Sequence, residues 1–248
     1  MTSLIQYGVE RGVARIALDS PHNRNALSSA LMTELEQRLD EAATTDTVRA
    51  IELTHTGRTF CAGADLTEAR AGGMAEGTKR VIALLRLIVE LPKPVVGSID
   101  GHVRAGGMGL VGACDIVLAG PASTFAFTEV KLGLAPAMIS LTTLPRLQPR
   151  AASRYYVTGE TFDSPTAERI GLITEAVDDI DAATHALLDT LRKASPQGLR
   201  ETKPLTTKAV SFAEADALAE QSARLFASDE AREGMTSFLE KRPPRWQV

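Results

Sequence analysis

Three features of the sequence could do chemistry together: two glycine-bearing turns that offer main-chain N–H groups, and Glu129, a carboxylate able to move a proton. The first turn lies in Gly57-Arg-Thr-Phe-Cys-Ala-Gly-Ala-Asp-Leu66. It follows a predicted strand and runs into Asp65-Leu-Thr-Glu68, an acidic N-cap with Glu at the third helical position, so a helix is expected to start at Asp65. The Ala64 N–H then sits in the loop just ahead of the helix, and Gly63 lets the backbone turn and come close to a ligand. The second turn lies in Ile99-Asp-Gly-His-Val-Arg-Ala-Gly-Gly-Met-Gly-Leu110 and leads into Leu110-Val-Gly-Ala-Cys114, which reads as a buried helix. Gly106 and Gly107 fall at its start, where unpaired N–H groups and the positive end of the helix dipole lie. Two such donors converging on one oxygen form an oxyanion hole. A single fixed, water-shielded donor is worth about 3–4 kcal/mol at a transition state. Either loop alone is a weak signal, because glycine-rich loops are common.

Other chemistry is less well supported. Gly107-Met-Gly-Leu-Val-Gly112 matches a dinucleotide-binding fingerprint, with Glu129 downstream. It is discounted because the last apparent strand residue, near Ile99, is too far upstream for the strand-to-turn geometry a pyrophosphate needs. His22, His55 and His185 are scattered without metal-ligand spacing, and no metal site is expected. No serine sits in a nucleophile-elbow pattern. Arg104 could pair bidentately with a distal substrate carboxylate. The favoured reading keeps both His102 and Arg104 as exposed or ordinary salt-bridging residues. Cys61 and Cys114 read as two half-buried thiols in a reducing compartment.

These residues must be positioned by a βα-rich first part. Strands are expected at Leu4–Tyr7, Val13–Leu18, Val48–Thr54, Pro94–Ile99, Asp115–Ala119 and Ser123–Phe127, most of them bounded by Gly, Pro, Asn, Asp or Ser. Helices are expected at Ser28–Ala42, with Leu31, Leu35 and Leu39 at fourfold spacing, and at Thr78–Leu91, stopped by Pro92. After about Arg150 strand signals largely vanish, and amphipathic helices such as Ala182–Ala194 and Phe212–Ala227 follow. The Pro145–Pro149 stretch and the turn at Ser195–Gly198 are the expected joints.

The 248 residues suffice for one large domain with an aliphatic core, and the formal net charge of -4 gives no general attraction to nucleic acid or anionic membrane. Met1 to Glu10 lacks the basic and apolar runs of a signal peptide. Val81–Val89, interrupted by Arg86, is too short to span a bilayer. A cytoplasmic protein is expected.

At the residues quoted, the chain resembles the enoyl-CoA hydratase/isomerase (crotonase) family over nearly its whole length. Pro21-His-Asn-Arg-Asn-Ala-Leu-Ser28 is similar to the family's loop before its first long helix. Phe60–Leu66 and Asp100–Ile116 are similar to its two oxyanion segments, and Glu129–Pro136 to the segment that supplies a catalytic glutamate. Thr158-Gly-Glu-Thr-Phe-Asp163 resembles its turn into the last part. The resemblance implies an α/β fold, a spiral of ββα units with a helical C-terminal part that mediates trimers, often paired into hexamers. The division expected is a core at 1–195 and a helical oligomerisation region at 196–248. It also implies an acyl-CoA thioester as ligand, with coenzyme A entering as part of the substrate and no separate cofactor. Carried over, the amides of Ala64 and Gly106 would hold the thioester oxygen and Glu129 would be the acid/base. Arg24, Ala26 and Ala62 would line the coenzyme A path, with Gly63, Asp65, Leu66 and Gly107 beside the ligand and Lys241 as a C-terminal contact.

One departure stands out. Hydratases of the family carry a second glutamate three residues after the oxyanion glycine, and here that position is Gly109. A free glutamate has a pKa near 4.3, so a lone Glu129 must be tuned by its surroundings to serve as both acid and base. A single glutamate suits double-bond isomerisation and remains compatible with hydration. The segments Met108–Leu110 and Val130–Ser140 resemble a branch similar to methylglutaconyl-CoA hydratases, which act on branched or carboxylated enoyl groups. Hydration of a short or branched 2-enoyl-CoA is therefore the expected activity. Isomerisation, and a non-catalytic CoA-ester-binding subunit, are the alternatives.

Overall fold

The computed structural model describes residues 3–70, 74–207 and 215–247. Strands β1 (Ile5–Glu10) and β2 (Val13–Leu18) form an antiparallel hairpin. Its two-residue turn, Arg11-Gly12, has φ of 48° and 79°, the left-handed pair that matches strand twist in a tight hairpin. Helix α1 (Ser29–Thr44) follows, its first turn capped by the Ser28 hydroxyl, which accepts from the Leu31 N–H. Leu31, Leu35 and Leu39 form its buried stripe.

The chain then repeats one motif. Strands β3 (Ala50–His55) and β4 (Thr59–Cys61) lead to α2 (Leu66–Arg70) and α3 (Met74–Glu90). Strands β5 (Val95–Ile99) and β6 (His102–Arg104) lead to α4 (Gly106–Ala113), and β7 (Ile116–Ala119) and β8 (Thr124–Ala126) lead to a 3-10 turn at Thr128–Leu132. Helices α5 (Ser140–Thr143) and α6 (Pro149–Thr158), strand β9 (Phe162–Asp163), helix α7 (Ser164–Arg169), strand β10 (Glu175–Ala176) and helix α8 (Ile180–Lys193) complete the core. The chain ends in α9 (Pro196–Thr207), α10 (Ala215–Phe226) and α11 (Asp229–Leu239).

The first strand of each repeat joins a large sheet ordered β1-β2-β3-β5-β7-β10, parallel from β2 onward, and the second joins a small sheet ordered β4-β6-β8-β9. Two consecutive strands thus lie in different sheets, and the chain winds as a spiral. The β5 strand is buried along its whole length, as a parallel strand covered on both faces must be. One face of the large sheet packs on α1, α3 and α4. On the other, Val13, Ala50 and Val96 pack against Leu188 of α8.

All six expected strands are present, β2 with the expected bounds and the others with ends shifted by at most three residues. Expected helix Phe212–Ala227 corresponds to α10, and its first residues, 212–214, lie outside the described residues. Four short strands were not read, and two of them, β4 and β6, matter below. Helix α9 is pinned to the core by Lys203, whose Nζ is buried. It donates to the carbonyls of Ile88 (2.8 Å) and Lys93 (3.0 Å) and lies 2.9 Å from an Asp115 carboxylate oxygen. Both cysteines are free and fully buried, not half-buried, and burial pushes each thiol up to about 12.

Candidate active site

Two parallel, three-residue strands bring the glycine turns together. β4 pairs with β6, Thr59 opposite His102 and Cys61 opposite Val103, so the turn after each strand emerges at the same end of the small sheet. The approach is close. A Cβ placed on Gly63 would lie 2.7 Å from the Ala105 Cβ and 3.0 Å from the Gly106 N. One placed on Gly106 would lie 3.6 Å from the Ala64 N. Gly63 also has φ +93°, so only glycine satisfies both the conformation and the space.

Neighbouring amides are consumed by the turns themselves. Gly63 N donates to Cys61 Sγ, and Met108 N donates to the Ala105 carbonyl. Among the described residues, the Ala64 and Gly106 amides take part in none of these turn, loop or cap hydrogen bonds. Gly106 is the first residue of α4, a helix buried along its length, so its N–H carries the positive end of a dipole in a water-poor setting. Ala105, which precedes it, has φ 45° and ψ −119°, a strained conformation for a residue bearing a Cβ.

The loop that approaches these turns is held by one buried amide side chain. Asn25 accepts from Ser20 N at 2.6 Å and donates to the carbonyls of Thr56 (3.2 Å) and Thr59 (2.8 Å). Arg24 and Asn25 both adopt left-handed backbone, φ 60° and 54°. The loop then runs alongside the first turn: Ala62 N donates to the Arg24 carbonyl at 3.1 Å, and Leu27 N to the Gly63 carbonyl at 2.7 Å. Arg24 is left exposed at this edge, while Ala26 is buried.

Helix α2 begins at Leu66, directly after Asp65. Asp65 is its cap, with Oδ1 accepting from Thr67 N (2.8 Å) and Glu68 N (3.3 Å). Glu68 does not reach back to close a capping box. It crosses instead to the start of α1, accepting from Ser29 N (2.9 Å) and Ser29 Oγ (2.8 Å). A carboxylate serves there equally well, because the α1 N-terminus is also positive. Leu66 is exposed, and the side-chain direction of Gly107 is filled by Cys61, whose carbonyl would lie 2.6 Å from an added Cβ.

Beside Ala64 opens a cavity of about 80 Å³ lined by Leu27, Met32, Val81 and Met138, with Asp65 and Glu68 at its edge. Glu129 sits on the 3-10 turn after β8, half-buried, with Oε2 shielded from solvent and without a hydrogen-bond partner. Burial lifts its carboxyl above the ordinary glutamate range, which a bond from its own backbone N–H partly offsets. A partly desolvated carboxylate with an unpartnered oxygen has the capacity to accept a proton, which makes Glu129 a candidate base.

Arg104 is half-buried and, among the described residues, has no salt bridge. It donates to the carbonyls of Val103 (2.8 Å) and Thr124 (2.6 Å) and to Thr124 Oγ1 (2.8 Å), locking β6 to β8. His102 is exposed and lies 2.8 Å from the same hydroxyl. The argument against a dinucleotide site also changes. β6 ends at Arg104, one residue before α4, so a strand does feed the turn. The glycines serve packing instead: an added Cβ on Gly112 would lie 2.7 Å from the Thr142 carbonyl, and α4 is buried throughout, leaving no space for a pyrophosphate. Lys241 lies exposed past α11, with its amide bonded to Phe238. No described contact joins it to the Arg24–Ala64 edge. Larger cavities, of about 560 and 800 Å³, lie around the Arg11-Gly12 turn and α8, away from the turns.

The sequence reading missed Tyr156 and Ile139. Ile139 directly precedes α5 and Tyr156 lies in α6, and no local signal marks Ile139 as the neighbour of Gly109 or Tyr156 as the partner of Thr143 and Phe127.

Known proteins resemble this chain over nearly its whole length. The family model described as Enoyl-CoA hydratase/isomerase matches residues 8–248. An enoyl-CoA hydratase structure from Mycobacterium avium is 55% identical, with TM-score 0.79, covering 99% of this chain and 100% of that one. One from Shewanella pealeana ATCC 700345 is 31% identical, with TM-score 0.93, covering 98% of this chain and 96% of that one. Enoyl-CoA hydratase ACTT6 of Alternaria alternata is 33% identical over 238 residues, 92% of this chain and 79% of its own. Since the match runs from the first hairpin through the last helix, the chain belongs to the enoyl-CoA hydratase/isomerase family.

Proposed function

We propose that the protein is an enzyme that hydrates a short or branched 2-enoyl-CoA, with coenzyme A entering as part of the substrate. The observation that carries this reading is the close approach of two uncommitted amides, Ala64 and Gly106, in a chain that also holds Glu129, a partly desolvated carboxyl whose Oε2 has no partner. The thioester oxygen receives both N–H groups, which hold it more tightly as negative charge develops there. Glu129 takes a proton from water as the water oxygen bonds to C3. The pair of electrons from the double bond moves to the thioester oxygen, giving an enolate. Glu129 then returns the proton to C2, so that one water is added and the carboxylate is regenerated. A raised pKa suits a group that must accept a proton and release it within one turnover.

The small apolar cavity beside Ala64 supports a short acyl group. Exposed Arg24, with Ala26 and Ala62 beside it, supports a coenzyme A path along this edge, and Lys241 would contribute a further charge. Large apolar side chains at Leu132, Leu134, Leu141, Leu144 and Val157, 46–73% exposed, support self-association as a trimer or hexamer. Among the described residues no helix is long and apolar enough to cross a membrane.

A second reading, isomerisation, has one specific observation behind it: Gly109 leaves Glu129 without a second carboxylate. Separate incubation with 2-enoyl and 3-enoyl thioesters in ¹⁸O-water separates the two. Labelled 3-hydroxyacyl-CoA supports hydration. Double-bond migration without label overturns it in favour of isomerisation, and binding without turnover on either thioester leaves a CoA-ester-binding subunit.

A further inference from the structure

The chain is acidic overall, with a formal net charge of -4, yet one cavity reverses that balance. It has a volume of about 800 Å³ and lies between the β1–β2 turn, the segment before β3, the end of α8 and the C-terminal tail. Arg11, Arg49, Arg192, Lys193 and Arg245 line it, against a single lining carboxylate, Asp189. That carboxylate is taken by Arg192, with His185 Nε2 3.4 Å from its other oxygen. Arg245 stands 3.5 Å from Glu233, which it shares with Arg242. Glu10, at the end of β1, lines the adjoining cavity of about 560 Å³ and not this one. Among the described residues, Arg11, Arg49 and Lys193 have no ion pair.

Two of these three cations sit where local rules favour other residues. Arg11 has φ 48° in a two-residue hairpin turn, a position that Asn, Asp or Gly fills more easily. Arg49 is half-buried. Its Nη1 donates to the Asp46 carbonyl at 2.6 Å, while its Nε is shielded from solvent without a hydrogen-bond partner. A methionine would fill the same space without a stranded N–H. The Arg49 side chain is nonetheless held in place. Its main-chain N donates to the Gly12 carbonyl at 2.7 Å, and its Cγ would lie 3.5 Å from a Cβ on that glycine. Fixed cations around a cavity bind an anion without the entropy cost of gathering flexible side chains. Trp246 also lines the cavity, and its Nε1 donates to the Lys193 carbonyl at 3.2 Å, tying the tail to the end of α8.

We propose that this cavity is a binding site for an oligophosphate anion. Three unpaired charges on three chain segments suit two or three linked phosphates better than one, and guanidinium groups hold phosphate oxygens through paired N–H donors. The volume also admits a nucleoside attached to those phosphates. None of the lining residues belongs to the Ala64 and Gly106 turns or to the Glu129 segment, so the site is separate from the candidate active site and does not depend on the hydration reading.

Trp246 is the one tryptophan in the chain, so its fluorescence reports on this cavity directly. The full-length protein is titrated at low salt with pyrophosphate, tripolyphosphate and ADP, with sulfate at matched ionic strength as the reference. Calorimetry follows the same titrations. Tripolyphosphate should give a saturable change that weakens as salt rises and that sulfate does not reproduce. Arg49→Met and Lys193→Gln should each raise the apparent Kd about threefold. Arg11→Asn should do the same with a melting temperature equal to or above the parent's, since asparagine suits the turn. Arg24→Ala, at the edge proposed for coenzyme A, should leave this Kd unchanged. ADP binding more tightly than pyrophosphate assigns a base to the ligand, and equal binding assigns the phosphates alone. Absence of both a saturable fluorescence change and binding heat overturns the proposal. So does an equal response to sulfate, or a Kd that moves with Arg24→Ala and not with Arg11→Asn. Should Arg49→Met fail to fold, the exposed positions Arg11 and Lys193 decide the question.

Discussion

Gly109 and Ile139 are packed so closely that a Cβ on the glycine would lie 2.7 Å from Ile139 Cγ2, with Leu85 Cδ1 at 3.1 Å. The place where a second glutamate would begin is therefore filled by two apolar side chains. Replacing Gly109 by Glu cannot simply restore a two-carboxylate site. The added side chain must displace a packed core, at a cost of about 1–3 kcal/mol, and buries a charge without a partner. Denaturant unfolding of Gly109→Glu should show at least that loss, and adding Ile139→Ala should recover part of it. Parental stability in Gly109→Glu would mean the wall is not as close as described.

Glu129 gives a prediction with opposite signs for activity and stability. Glu129→Gln removes the proton carrier, and turnover should fall about 10²–10⁴-fold with little change in thioester affinity. Stability should move the other way. The folded carboxyl has a raised pKa, because burial disfavours its charged form. Its contribution is thus fully present below the unfolded glutamate pKa and is lost as pH rises through the folded value. Glutamine has no such loss. Melting temperatures of the two proteins should coincide in acid and separate as pH rises from the ordinary carboxylate range through the raised value, Glu129→Gln being higher at neutral pH. A constant difference across pH would sink the assignment.

Asn25 is fully buried and makes three hydrogen bonds that tie residues 20, 56 and 59 to the loop carrying Arg24. Asn25→Ala leaves Ser20 N and two carbonyls without this partner, and each buried group stranded costs about 1–3 kcal/mol. Loop 24–27 also borders the Ala62–Ala64 turn through two main-chain bonds. The variant should therefore be destabilised by several kcal/mol, and its KM for a CoA thioester should rise more than kcat falls. Unchanged KM with lowered stability would confine Asn25 to folding.

Much of this was legible in the sequence, for identifiable reasons. The long strands announce themselves through β-branched runs, and α1 through Ser28 and the leucines at 31, 35 and 39. The two glycine turns could be placed at helix starts because Asp65 is a capping residue and the segment from Gly106 is continuously apolar. What could not be read was non-local. β4 and β6 are three residues each, too short for an alternation pattern, and only their parallel pairing brings Gly63 against Ala105. Ile139 meets Gly109 across thirty residues of sequence, and Tyr156 meets Thr143 across two helices. Glu68 carried a correct local signal, a capping position, but its side chain caps a different helix.

The contact between Gly63 and Ala105 is the joint on which the two amides depend, and it can be probed from both sides. Gly63→Ala combines a Cβ 2.7 Å from the Ala105 Cβ with a backbone at φ +93° that disfavours any side chain. Separating the turns misplaces at least one oxyanion donor, so kcat should fall about 10²–10³-fold. Ala105→Gly acts oppositely. The alanine sits at φ 45°, ψ −119°, close to the first corner of a type II′ turn, where glycine is favoured. Relief of about 1–3 kcal/mol of strain outweighs the roughly 0.4–1 kcal/mol of extra unfolded-chain entropy. This variant should be as stable as the parent or more so, with turnover kept. In the double variant the Cβ–Cβ clash is gone, but the 3.0 Å approach to Gly106 N and the positive φ remain. Rescue should be partial, with a coupling energy of about 0.5–3 kcal/mol in a double-mutant cycle on kcat. Strict additivity would show that the two turns are held by something other than this contact, and the amide pair would then need a different support.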